Sequence, residues 1–157
     1  MIEYRRRFLA GSSAATLLSS LIGLGLLTPT RAIAGTWNKT AFRAPNITEA
    51  LSIYGGSNAS PSRDIVISAP EVAENGAKVE IEITCHLPGT HSLAIFADKN
   101  PTPLCAELAF SPNMLPYTRI QVKLAESTRV RVIAKTQEGK THVAFREIKV
   151  TLGGCGV

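Results

Sequence analysis

From Arg63 onward, apolar and polar residues alternate with a period of two, the spacing of a strand that buries one face. About seven strand-like segments follow from it, near 63–69, 78–86, 91–97, 104–110, 117–125, 128–137 and 141–151. The clearest is the run Val79, Glu80, Ile81, Glu82, Ile83, Thr84, Cys85, in which the odd positions are apolar and the even ones polar. Val79, Ile81, Ile83 and Cys85 are therefore expected in a core, together with Val130, Val132 and Ala134. Phe145, Ile148, Val150 and Leu152 are the apolar positions of the last strand. Turn residues separate the segments: Asn75 and Gly76, Pro88 and Gly89, Asn100 and Pro101, Ser111 to Asn113, Glu138 and Gly139. Short strands at this spacing predict a mainly β fold, an immunoglobulin-like antiparallel sandwich, with a small barrel as the alternative.

Ahead of the strands the period changes. Asn46 is placed to cap a helix with Glu49 as its capping-box partner, Ala50, Leu51 and Tyr54 share one face, and Gly55 with Gly56 ends it. The polar residues 57–62 then link a 35–62 segment to a sandwich over 63–152.

The first 34 residues have a different character. Arg5, Arg6 and Arg7 precede Phe8 and Leu9, an uncharged run follows, and Ala32, Ile33 and Ala34 supply a small-residue cleavage site. This is the layout of an export signal of the twin-arginine type, which sends a folded protein to the periplasm. The run at 10–27 is 18 residues long, the lower edge of a membrane span, but its Gly, Ser and Ala content and the cleavage site favour removal and no membrane attachment afterwards. Cleavage also changes the charge. The whole chain is +5, yet residues 35–157 carry 13 basic against 11 acidic side chains, a net +2 with no basic run. Nucleic-acid binding is excluded on that ground.

Three cysteines in an exported chain leave at least one thiol unpaired. Cys155 is the odd one, flanked by Gly153, Gly154 and Gly156, whose missing side chains make a thin and conformationally free arm over 153–157. Five residues reach at most about 17 Å. No Lys, Arg or His surrounds this thiol to activate it, and no second cysteine lies two residues away, so the pattern points to a carrier thiol, not a catalytic one. Cys85 and Cys105 fit small buried hydrophobes or a disulfide between neighbouring strands. His86, His91 and the two cysteines match no zinc spacing, and His86 should face away from Cys85, so no metal is expected. His142 follows the Gly139 turn and is expected in solvent. Phosphate loops, nucleophile elbows and zinc-protease motifs are absent, and Glu80 and Glu82 lie on an outward face. No cofactor and no catalytic residue is expected.

With Val150, Thr151 and Leu152 before it, the segment Gly153, Gly154, Cys155, Gly156 resembles the C-terminal motif of the SoxY family, the sulfur-compound carrier subunits of the periplasmic Sox thiosulfate-oxidation system. The likeness extends along most of 40–157, through Asp64 to Ile67 with Ala69 and Pro70, Ala73 to Ala77, Pro88 to Thr90, Lys99 to Pro101, Pro116 with Tyr117, and Glu147 to Val150. The resemblance implies that Cys155 is the covalent attachment site for thiosulfate-derived sulfur, with Gly153, Gly154 and Gly156 as its arm. It further implies a second sandwich subunit like SoxZ in trans, a haem-containing conjugating enzyme, a sulfate-releasing hydrolase and, in some systems, a sulfane dehydrogenase. Two departures stand out. Val157 occupies the place of a final glycine and adds bulk beside the thiol, and Cys85 and Cys105 are extra to the single cysteine of a typical member.

Two other readings compete with the carrier. One is a structural immunoglobulin-like module whose Cys155 forms an intermolecular disulfide; the other is a thiol-disulfide enzyme using all three cysteines, which requires two of them within bridging distance.

Overall fold

The computed structural model describes residues 38–152. The export signal expected over 1–34 and the arm over 153–157 lie outside the described residues. Helix α1 (Lys39–Phe42) begins at Asn38, whose side chain accepts from Ala41 N at 3.1 Å. Helix α2 (Ile47–Tyr54) begins where expected, with the Asn46 side chain accepting from Glu49 N at 2.9 Å. It ends at Gly55, held at φ 81°, while Gly56 N donates back to Leu51 O at 2.7 Å. A left-handed closure of this kind needs a residue without a Cβ.

Nine strands follow: β1 (Ser60–Pro61), β2 (Ile65–Ser68), β3 (Val72–Asn75), β4 (Val79–Cys85), β5 (Thr90–Ala97), β6 (Leu104–Ala109), β7 (Tyr117–Val122), β8 (Thr128–Thr136) and β9 (Thr141–Leu152). The small sheet is β2-β4-β7, antiparallel throughout. The large one is β1-β9-β8-β5-β6, and β3 also pairs with β9. The two strands missing from the expected seven are β1 and β3. Both are short, and both run parallel to β9, β1 against His142 and Val143, β3 against Lys149, Val150 and Leu152. The stretch expected to be a linker thus adds a strand to the large sheet, and Ser62 N donates to Val143 O at 2.9 Å.

The sandwich core lies between the sheets. Val79, Ile81, Ile83 and Cys85 of β4 meet Leu93, Ile95, Val130, Val132, Ala134 and Ile148 from the large sheet. A second core covers the other side of the large sheet, where Ala41, Ala50 and Tyr54 from the helices and Ala44 between them pack on Ala94, Phe96, Leu104 and Ile133. Strand β5 is therefore buried on both faces. Tyr54 and Phe96 meet edge to face, centroids 5.7 Å apart at 70°. Among the described residues no helix is long and apolar enough to cross a membrane.

The last strand has a different phase from the one its apolar residues suggest. Ala144, Arg146, Ile148 and Val150 point inward, while Phe145 is on the other face, 58% exposed, with the Arg129 guanidinium 4.6 Å above its ring. The inward position between Ala144 and Ile148 is held by a charged residue, and counting apolar residues alone skips it.

Candidate functional site

Strand β9 is fixed up to its last described residue. Val150 N donates to Ser127 Oγ at 2.9 Å, Thr151 Oγ1 donates to Glu74 O at 2.8 Å, and Gly76 N donates to Leu152 O at 2.8 Å. Whatever continues from Leu152 therefore starts from an anchored base. Gly153, Gly154, Cys155 and Gly156 themselves lie outside the described residues.

Cys85 and Cys105 are both free thiols. The disulfide alternative is not formed: Cys85 ends β4 against Thr90 at the start of β5, whereas Cys105 lies on β6 beside Ile95 and Phe96 near the other end of that strand, about five positions or roughly 17 Å away. Cys85 is 1% exposed and its Sγ lies 3.4 Å from Thr90 Oγ1. Cys105 is half-buried and donates to Pro103 O at 3.4 Å. It borders a cavity of about 460 Å³ between β6 and β7, lined also by Leu104, Ala106, Ile120 and Val122. Burial pushes its thiol up to about 11, since an apolar surrounding disfavours the thiolate. Thiolates, not thiols, react with iodoacetamide. At pH 8, Cys105 should consequently label at less than about a tenth of the rate of an ordinary thiol of pKa near 8.5, with peptide mass mapping as the readout; equal rates would show that its burial is not maintained in solution.

Cys105 is also too far to exchange with Cys155 of its own chain. The register aligns Leu104 with Phe96, Arg131 and Phe145 across the large sheet, and Leu152 lies seven positions beyond Phe145. Seven positions along a strand are about 23 Å, whereas the three residues from Leu152 to Cys155 span about 10 Å. A three-cysteine redox enzyme does not fit this geometry.

The histidines are placed as dispersed surface groups. His86 and His91 are exposed and His142 is half-buried. Among the described residues no cluster of three or more His, Cys, Asp or Glu could hold a metal. Glu80 and Glu82 do lie on the outward face of β4, where Arg119 of β7 bridges them, 2.9 Å to Glu82 and 4.0 Å to Glu80. The Arg119 hydrogen bond holds the Glu82 carboxyl below the usual carboxylate range, so this pair is an ion cluster on the sheet surface and not an acid-base dyad. Beside it, Val66, Thr84 and Tyr117 form one cross-strand row, and Val66, Tyr117, Leu115 and Met114 are 49%, 42%, 63% and 57% exposed. Met114 and Leu115 precede β7 in the chain, and all four are large apolar groups left in solvent among the described residues.

The architecture is thus that of a β-sandwich whose C-terminal strand is anchored to its last described residue, and the comparisons place it among the sulfur oxidation proteins. A family model described as "Sulfur oxidation protein SoxY" matches residues 50–155, and the chain belongs to the SoxY family. The structure of the sulfur carrier protein SoxY from Chlorobium limicola f thiosulfatophilum is similar at 33% identity and a TM-score of 0.60, covering 67% of this chain and 96% of that one. A superoxide reductase (neelaredoxin) from Ignicoccus hospitalis shares the fold at 18% identity and a TM-score of 0.51, covering 56% of this chain and 80% of that one. No curated protein matches the chain. Membership carries a sulfur-carrier role in sulfur oxidation and a place in the Sox system.

Proposed function

We propose that the protein is a periplasmic carrier that holds thiosulfate-derived sulfur covalently on Cys155 and presents it to the Sox enzymes. The observation that carries this reading is the contrast among the three thiols. The two in the sandwich are buried or protonated, which favours Cys155, three residues past an anchored strand end, as the thiol that does the chemistry. Attachment joins its sulfur to thiosulfate as a cysteine S-thiosulfonate in a step that removes two electrons, for which a haem enzyme is the expected partner. A hydrolase then releases sulfate, and in some systems a sulfane dehydrogenase follows. The carrier supplies no catalytic group to these steps. The exposed apolar side chains of Val66, Tyr117, Leu115 and Met114 support docking of a SoxZ-like sandwich, and the arginine-led first 34 residues support delivery through the twin-arginine route.

Replacing Gly153 and Gly154 with Trp tests the arm. The core ends before them, so the melting temperature should stay within about 2 °C while thiosulfate-dependent turnover with the partner enzymes falls by at least about a hundredfold. A variant that unfolds, or one that turns over normally, sinks the arm as a thin probe.

A further inference from the structure

Strand β9 has a gap along one edge. Strand β1 covers His142 and Val143, strand β3 covers Lys149 to Leu152, and among the described residues no strand opposes residues 144–148 between them on this edge. Val143 O accepts from Ser62 N and Lys149 N donates to Glu71 O, so odd-numbered residues of β9 turn their backbone groups to this edge. By alternation, the N–H groups of Phe145 and Glu147 face the gap. A cavity of about 330 Å³ occupies it, lined by Glu71, Val72, Arg146, Glu147 and Lys149.

The charges in this notch are unevenly used. Arg146 Nε is buried and has no hydrogen-bond partner. The other end of that guanidinium is 4.0 Å from Glu71, beyond hydrogen-bond distance, and the Glu71 side chain is 88% exposed. Glu147 is already held by Arg129 at 2.7 Å. Lys149 has no ion pair among the described residues. A buried N–H without a partner is rare in folded proteins and needs an explanation. Arg146 from the inward face of β9, Lys149 from the other face and two outward backbone N–H groups meet at one cavity whose lining also includes Glu71 and Glu147; cationic side chains with N–H donors suit a tetrahedral oxyanion.

We propose that the notch binds a sulfur oxyanion through Arg146 and Lys149. The choice of sulfur over other oxyanions rests on the carrier reading. Two sources share this chemistry, free thiosulfate or sulfate and the terminal sulfonate of a loaded Cys155. The second is within range of the notch's lip. Cys155 lies three residues past Leu152, about 10 Å, and its side chain carrying a thiosulfonate reaches roughly 7 Å beyond its Cα, whereas Lys149 lies three residues, about 10 Å, back along β9.

The test is an amide NMR titration of the intact protein. Its first arm adds sulfate, then thiosulfate, to Cys155→Ala. Its second arm loads wild-type protein with tetrathionate: the Cys155 thiolate attacks a central sulfur, a new S–S bond forms as the central S–S bond breaks, thiosulfate leaves, and the thiol proton goes to solvent. Saturable shifts at Glu71, Val72 and residues 145–149 in the first arm assign the site to the free anion. The same shifts in the second arm alone assign it to the arm-borne sulfonate. In either case Arg146→Gln should weaken the effect at least about tenfold, and Lys149→Gln, at an exposed position, provides the same readout if the arginine variant does not fold. Shifts in neither arm, or shifts indifferent to both substitutions, overturn the site. Because tetrathionate loads the thiol without any enzyme and peptide mass confirms the adduct, a missing site is distinguishable from a failed carrier.

Discussion

Cys155→Ser should abolish thiosulfate-dependent turnover while leaving the sandwich as stable as before. The reasoning is chemical. A cysteine of ordinary pKa near 8.5 is a few per cent thiolate at neutral pH, and the thiolate is the species that forms a bond to sulfur. A serine hydroxyl at the same place is essentially never ionised, and an oxygen–sulfur adduct would not survive in water. Turnover in a reconstituted system should therefore drop by more than about 10⁴-fold, to the uncoupled background. Mass spectrometry of protein from thiosulfate-grown cells should show sulfur added to the wild-type C-terminal peptide and none to the variant. The melting temperature should not move, because Leu152 and its bonds to Gly76 and Thr151 to Glu74 precede the substitution. Cys85→Ser and Cys105→Ser make the contrast. The first places a hydroxyl in the main core and should lower stability, and neither should prevent loading of Cys155. If the module reading held instead, Cys155→Ser would remove a reducible dimer and leave turnover untouched.

Part of this architecture is legible in the chain and part is not, for physical reasons that differ from element to element. Helix α2 is legible because its signals are local: Asn46, Glu49 and Gly55 each act within four residues of the helix end they shape. Strand β4 is legible because one of its faces is wholly core and the other wholly surface. Strand β3 is not, since three of its four residues, Ala73, Glu74 and Asn75, have poor strand propensity and the segment is held straight by β9, about 77 positions further along. Arg146 is hidden for the opposite reason. It occupies an inward position of a strand whose neighbours are apolar, and a polar residue there is noticed only once the phase of β9 is known. The thiol proposed as the carrier stands out in the sequence as the odd cysteine among glycines, whereas the burial of Cys85 and the raised pKa of Cys105 show only in the folded sandwich.

Phe96→Ala should be the most damaging single change to the fold. Phe96 is fully buried on β5 and faces outward from the large sheet, where it carries the helical layer with Ala94, Leu104 and Ile133. Its ring is the seat for Tyr54, whose hydroxyl lies 3.3 Å from Ser92 Oγ and whose own ring has the Lys135 ammonium 3.6 Å from its centroid. Burial of that phenol pushes its pKa up to about 12. Truncating the phenyl removes its transfer energy and leaves a cavity beneath α2, a loss of about 3–5 kcal/mol. Against a total stability of about 5–15 kcal/mol, that lowers the melting temperature by on the order of 15 °C. The damage should be sided. Amide exchange should accelerate first in α1 and α2, with the Tyr54 phenol titrating at lower pH once solvent reaches it. The small sheet, whose Ile81 and Ile83 belong to the other core, should retain its protection until global unfolding. A loss below about 1 kcal/mol, or exchange that rises uniformly, would mean that the helices are not seated on Phe96 and that the sandwich stands without its third layer.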